Sequence, residues 1–317
     1  MEGLEYSILR VLAYFDIFHY PLLIHEINYF SDQHLPPEAL PPVLDQLTAA
    51  GIIYNFDGFY TLHNDAGLIH KRIAQNKRAA KLLPKARMVS NLLYYFPFVR
   101  VIGISGSLSK NVADPDADFD YFIITQAGRL WITRTLLILL RRCSILVGRQ
   151  DWFCMNYFID ESCLQIPEQN IYTATEILTL ILTKNNPTSH SFLEANNWVN
   201  RYFPNYLHKK AALLESGSTN PVKKALEAML NLAFFNQVDN WLMQLTMSRL
   251  TKKKKAGQLV TRKGKELLLP LSDKHYFKHN PEYLQADVLK AHAEKLDILL
   301  KRYEALTPLV KASSAGL

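Results

Sequence analysis

The chain has 317 residues, of which 49% are hydrophobic and 21% charged, enough apolar material to fill one or more cores and to exclude disorder of the whole chain. Its formal charge of +7 suits an anionic partner. Part of the excess is local, because Lys252, Lys253, Lys254 and Lys255 are followed by Arg262, Lys263 and Lys265, a run that reads as a solvated loop or as an anion contact.

In chain order, residues 6–15 carry the apolar periodicity of a helix, residues 23–27 that of a second, and residues 37–47 that of a third, ended by Gly51. Ile52-Ile53-Tyr54 and Phe59-Tyr60-Thr61-Leu62 flank Asn55-Phe56-Asp57-Gly58, a turn sequence whose glycine can take positive φ, so a hairpin is expected. Three helices and a hairpin resemble a winged helix-turn-helix, assigned to residues 1–65. Its third helix, the reader in a DNA-binding version, brings Glu38 and Asp45 but no lysine or arginine. Base reading and phosphate neutralisation both favour cations there, so the composition argues against DNA binding and for a protein-interaction or intramolecular role.

Residues 68–96 are helical and basic, giving a connecting helix or pair over 66–97. Strand-like runs at 99–104, 119–124 and 152–159 alternate with a helix at 129–143, which defines a unit of mixed composition over 98–215. Beyond Ile171 nearly everything reads as helix, at 174–182, 192–202, 222–250 and 283–306. The polar, helix-breaking stretch from Glu215 to Pro221 marks the start of a helical C-terminal region, 216–317. The fold class expected is α+β, a mixed sheet with flanking helices.

Cys143, Cys154 and Cys163 have no C-x-x-C spacing and lie in apolar surroundings, the usage of buried thiols in a reducing compartment. The segment Met1-Glu2-Gly3-Leu4-Glu5 lacks the basic-then-apolar order of a signal peptide, and a cytoplasmic location is expected. The apolar run from Leu136 to Leu140 falls far short of the roughly 20 residues of a membrane span, so no membrane partner is expected. The histidines show no zinc spacing; His25, His63, His70 and His190 read as surface or satisfied core residues, and the His275/His279 pair lacks a glutamate and a third ligand.

The chemistry concentrates in Gly103-Ile104-Ser105-Gly106-Ser107-Leu108-Ser109-Lys110 and Ala117-Asp118-Phe119-Asp120-Tyr121. Asp118 and Asp120 alternate along an apolar strand, so both carboxylates leave one face and repel unless a cation lies between them. Hard oxygen ligands of that kind suit magnesium. Gly106 and Ser107, ending the preceding strand, let the backbone approach a polyphosphate while amides and hydroxyl donate to it.

With ten residues between Ser107 and Asp118, these segments resemble the signature of the nucleotidyltransferase superfamily that includes DNA polymerase beta-like and aminoglycoside nucleotidyltransferases. With the N-terminal pattern, and with Gly128-Arg129-Leu130-Trp131, Asn156-Tyr157 and Tyr172-Thr173-Ala174-x-Glu176 downstream, the chain looks like a bacterial branch of these proteins. The resemblance implies magnesium-dependent transfer of a nucleoside monophosphate from a nucleoside triphosphate such as ATP to an acceptor of unknown kind, whether small molecule, protein or RNA. It also implies that Asp118 and Asp120 hold the metal and that Gly106 and Ser107, with Lys110 adding charge, hold the triphosphate. Where the superfamily commonly has a third carboxylate, this chain has Asn156, which offers a carbonyl oxygen but no charge. Asp151, Asp160 and Glu176 are the candidate substitutes, Glu176 as a base. Two alternatives stay open: a catalytically weak or inactive nucleotide-sensing or protein-interaction module, and a nucleic-acid-binding regulator.

Overall fold

The computed structural model describes residues 3–34, 36–146, 148–206, 215–216, 220–258, 269–278 and 283–314. The chain opens with α1 (Leu4–Asp16), β1 (Leu22–Leu23), α2 (Ile24–Tyr29) and α3 (Leu40–Ala49), followed by β2 (Tyr54–Phe56) and β3 (Phe59–Thr61). The three strands form one antiparallel sheet in the order β1-β3-β2. The expected hairpin is present: Asp57 and Gly58 take φ of 52° and 82°, and Asn55 Oδ1 accepts the Gly58 amide at 3.0 Å. Two consecutive left-handed residues give the turn whose twist matches paired strands.

A single helix, α4 (Gly67–Tyr94), fills the span expected to hold one connecting helix or two, with Pro84 accommodated inside it. It is a strut rather than a linker. Near its start the buried Arg72 donates to Glu26 at 2.7 Å and to the Pro21 carbonyl, and stacks over Tyr20. Further along, Ala79, Ala86, Val89 and Leu93 pack into the core below the main sheet.

That sheet has six strands. β4 (Val99–Ile104) leads through the short α5 (Gly106–Ser109) to β5 (Asp120–Thr125); α6 (Leu130–Ile145) then returns the chain to β6 (Cys154–Asp160). After α7 (Ile171–Thr179) come β7 (Ile181–Leu182), β8 (Lys184–Asn185) and α8 (Pro187–Ala195); β8 pairs in parallel with β9 (Glu215–Ser216). Helices α9 (Pro221–Leu230) and α10 (Phe234–Lys255) precede β10 (Leu271–Ser272) and β11 (Tyr276–Lys278), and α11 (Tyr283–Ser314) completes the described chain. The strand order is β10-β11-β6-β5-β4-β7, with β5 and β6 parallel and the other neighbours antiparallel. Covered on both faces, β4 and β5 read as near-continuous apolar runs: Val101, Ile102, Ile104, Tyr121, Ile123 and Ile124 have no measurable exposure. Each such side chain contributes roughly 1.5–3 kcal/mol relative to an exposed one. The architecture is mixed α+β, as the sequence implies.

Several expectations are corrected. The C-terminal region is not all helix, because β10 and β11 extend the main sheet and bury Phe277 against Trp131. Residues 222–250 are two helices broken near Asn231, and the helix expected over 174–182 stops at Thr179 so that Ile181–Leu182 can pair with β4. The helix expected over 192–202 ends at Ala195 and continues as a tighter turn over Asn197–Arg201. The thiols are not buried residues: Cys143 is exposed, and Cys154 and Cys163 are half-buried. Arg262, Lys263, Lys265 and His279 lie outside the described residues.

The N-terminal unit does not stand apart. Its apolar residues Ile8, Leu12, Phe15 and Leu44 share one continuous core with Ile166, Leu180 and Phe192 near the main sheet and with Val288 on α11. Lys295 and Arg302 of α11 reach Asp16 at 2.5 Å and the Gly51 carbonyl at 2.6 Å, and His292 lies 3.1 Å from the Arg10 carbonyl.

Candidate functional site

A cavity of about 710 Å³ opens between α1, α7 and the ends of β4, β5 and β6. Its polar lining comprises Ser105, Gly106, Ser107, Lys110, Asp120, Asn156 and Glu176 together with Lys71, Asp114 and Lys278. Its aromatic lining joins Tyr14, Phe15, Phe18 and Tyr20 from the N-terminal unit to Phe122, Tyr157 and Tyr172, and the Tyr20 hydroxyl donates to the Lys110 carbonyl at 3.2 Å. Most of the polar lining comes from segments that the sequence singles out. The aromatic wall was missed, because it depends on how α1 docks and not on any local pattern.

The Gly106 side of the cavity is built from the β4–α5–β5 turn. The Ser105 amide donates to the Asp120 carbonyl at 2.9 Å, so the loop after β4 lies against the start of β5. Gly106 has φ +65, and a Cβ there would fall 2.2 Å from Asp120 Oδ2. Only glycine meets both demands, the left-handed backbone and the close approach of the carboxylate. Lys110 turns back over this loop, donating to the Gly106 carbonyl at 3.0 Å and pairing with Glu176 Oε1 at 2.8 Å.

Asn156 reaches the site through an irregularity in the sheet. Along the parallel β5/β6 pair, Tyr121 faces Met155 and Phe122 faces Tyr157, so Asn156 is the extra residue of a bulge. Its Nδ2 donates to Asp120 Oδ1 at 2.6 Å, and the Cys154 thiol donates to its Oδ1 at 3.3 Å. The position expected to hold a third acid therefore carries an amide that props the central carboxylate. Asp160 does not substitute. It sits at the far end of β6, fully buried, accepting from the Gly128 and Ser162 amides and meeting His275 at 3.0 Å. Asp151 precedes β6, and its carbonyl accepts the Phe119 amide at 2.9 Å.

Burial pushes the Asp120 carboxyl up to about 6; the nearby Asp118 and Glu176 charges add to the rise, while the Cys154 thiol and Lys110 oppose it. Burial, with the Asp120 charge adding, also pushes the Cys154 thiol up to about 12, so it stays protonated near neutral pH. Asp118 and Glu176 thus both act on Asp120, with Lys110 opposing them while paired to Glu176. Carboxylate oxygens of this kind are the hard donors that a dication such as magnesium takes.

Six of the seven candidate residues line the cavity: Gly106, Ser107, Lys110, Asp120, Asn156 and Glu176. Asp118 stands just before β5, half-buried, and reaches the site through its field on Asp120. Among the described residues no helix is long and apolar enough to cross a membrane. No known protein family, curated protein or solved structure matches the chain.

Proposed function

We propose that this chain is a magnesium-dependent nucleotidyltransferase that moves a nucleoside monophosphate from a nucleoside triphosphate to an acceptor, with pyrophosphate as the leaving group. On this reading residues 98–215 have the nucleotidyltransferase type of fold, and the N-terminal unit is a winged-helix-like element used to wall the cavity. The observation that carries it is the junction of a glycine-bearing loop with Asp120 in the lining of a cavity large enough for a nucleotide, with Asp118 close enough behind it to raise its pKa. The exposed face of α3, with Pro41, Pro42, Asp45 and Gln46, offers nothing cationic to DNA, which favours the intramolecular role.

The roles follow from the placement. The Gly106–Ser107 backbone, with no side chain at Gly106, admits the phosphates close to Asp120. Magnesium held by Asp118 and Asp120 supplies charge neutralisation and Lewis acidity at the phosphate. Asn156 orients the Asp120 carboxylate through the 2.6 Å hydrogen bond. Glu176, fixed by Lys110, takes the proton of the acceptor hydroxyl as its oxygen bonds to the α-phosphorus and the bond to pyrophosphate breaks. The aromatic side chains of the lining exclude water and give flat surfaces for a base or an acceptor ring.

Asn156 supports a second reading, a nucleotide-binding module without turnover, since an amide brings no charge where a third acid is expected. One titration addresses both. Calorimetry of wild type and of the Asp118→Ala/Asp120→Ala double variant, with non-hydrolysable analogues of the common nucleoside triphosphates, is expected to show magnesium-dependent binding that the double variant loses. Absence of binding by wild type sinks both nucleotide readings. Binding without pyrophosphate release across an acceptor screen selects the second.

A further inference from the structure

We infer that Asp16, His19 and His63 form a second metal site, one for a borderline transition-metal dication such as zinc, at the junction of α1, the turn after it and the segment leaving β3. The inference is independent of the nucleotide reading and uses none of its residues.

One ligand atom from each of the three residues lies within 4.8 Å of the others. His63 Nε2 is already 2.9 Å from Asp16 Oδ1, and the two imidazole rings are 6.0 Å apart. A tetrahedral zinc with bonds of about 2.0–2.1 Å needs donors about 3.3 Å apart. The His63–Asp16 pair must open slightly and the remaining donor must close in; both histidines are exposed and have room to turn, whereas the Asp16 side chain is only 5% exposed and is the fixed point. Lys295 Nζ holds Asp16 Oδ2 at 2.5 Å, which leaves Oδ1 turned toward the imidazoles. That is how an outer partner commonly orients a ligating carboxylate, the lysine charge weakening the site while fixing its geometry.

An ordinary Asp16–His63 ion pair accounts for two of the three residues. It does not account for a second imidazole brought beside the same carboxylate; the φ of +50 at His19 is that of a left-handed cap after α1, in which the His19 amide donates to the Asp16 carbonyl at 3.0 Å and the Tyr20 amide to the Phe15 carbonyl at 3.2 Å. Asp16 is the last residue of α1, where the helix dipole favours a cation. Two imidazoles and one carboxylate, with room for water in the fourth position, suit zinc over magnesium.

The site touches function through its neighbours. His19 lies between Phe18 and Tyr20, both of which wall the cavity. A metal there ties that wall to the exit of β3 and, through Asp16 and Lys295, to α11.

The test uses the full chain, stripped with a chelator and titrated with zinc by calorimetry in excess magnesium, with cobalt as a visible-absorption probe. One equivalent of zinc is expected, with a tetrahedral cobalt spectrum. His19→Ala and His63→Ala should each weaken binding at least tenfold, while Asp118→Ala/Asp120→Ala leaves it unchanged. Zinc should also raise the melting temperature of wild type but not of His19→Ala, a readout that stands even if His63→Ala folds poorly. Failure of wild type to bind zinc saturably, or binding that His19→Ala leaves untouched, overturns the proposal.

Discussion

Asp16 and Asp120 are both carboxylates largely withdrawn from water, and the fold compensates them differently. Asp16, 6% exposed, has Lys295 at 2.5 Å and His63 at 2.9 Å. Asp120 has an amide on one oxygen and the bare backbone of Gly106 beside the other. Among the described residues no cation forms an ion pair with it, and Lys110, the nearest in effect, is turned to Glu176. Taking a charge out of water costs several kcal/mol unless partners return it. At Asp16 the partners belong to the chain, so the carboxylate ties α1 to α11. At Asp120 the compensation is left incomplete, which is the condition for a charge whose partner is a ligand.

Substitutions should break this contrast in opposite directions. The largest effect in stability is expected from Gly106→Ala, which sets a Cβ against Asp120 Oδ2 on a backbone with positive φ and should cost roughly 2–4 kcal/mol in urea unfolding, with nucleotide binding lost. Lys295→Met removes the closer of the two partners of Asp16 and leaves the His63 contact. Because Lys295 is itself partly solvated, a loss of about 2 kcal/mol is expected rather than the larger figure of a fully buried pair.

Asp120→Asn should act with the opposite sign. A carboxyl whose folded pKa is raised from 3.8 to about 6 binds its proton more tightly folded than unfolded. Its contribution is thus fully present below the unfolded value and lost as pH rises through about 6. Removing the charge should therefore stabilise the protein by about 1–2 kcal/mol at pH 7.5, and by much less near pH 4, while abolishing magnesium-dependent nucleotide binding. A variant equally stabilised at both pH values would detach the effect from the Asp120 charge.

What the sequence made legible was local. The Gly106–Ser107 loop and the Asp57–Gly58 turn each lie within a few residues, where spacing alone fixes the local geometry; Asp118, expected on one strand with Asp120, instead lies before β5 and outside the cavity lining. Glu176 was visible as a candidate, though only α7's docking explains why Lys110 meets it. The Asp16, His19 and His63 cluster was not legible: His63 is 47 residues beyond Asp16, and the three meet only because β3 returns its chain end to the end of α1. β10 and β11 escaped for a related reason. A strand of two or three residues carries no periodicity of its own and exists because β6 offers it an edge. The thiols misled because apolar neighbours in sequence do not fix which face a residue takes: Cys143 lies within α6 and is exposed, and Cys154, the first residue of β6, is half-buried.

The smallest predicted effect tests what the bulge at Asn156 is for. Asn156→Asp exchanges the hydrogen-bond donor on Asp120 Oδ1 for a second carboxylate, close in volume, so packing should hardly change. At low pH the two carboxyls share a proton and the contact survives as an O–H···O bond. As the pH rises and that proton is drawn off, two carboxylates face each other where the paired atoms now lie 2.6 Å apart, and the pair repels. The variant should match wild type at pH 5 and lose about 1 kcal/mol at pH 8, since the protons that relieve the repulsion are then gone. Magnesium should restore much of that loss and bind more tightly than to wild type, because two charges now face it where an amide props one. Thermal unfolding at both pH values, with and without magnesium, reads this out. A loss equal at pH 5 and pH 8 and indifferent to magnesium would mean that Asn156 serves the packing of the bulge, and that the incomplete compensation of Asp120 is not poised for a cation.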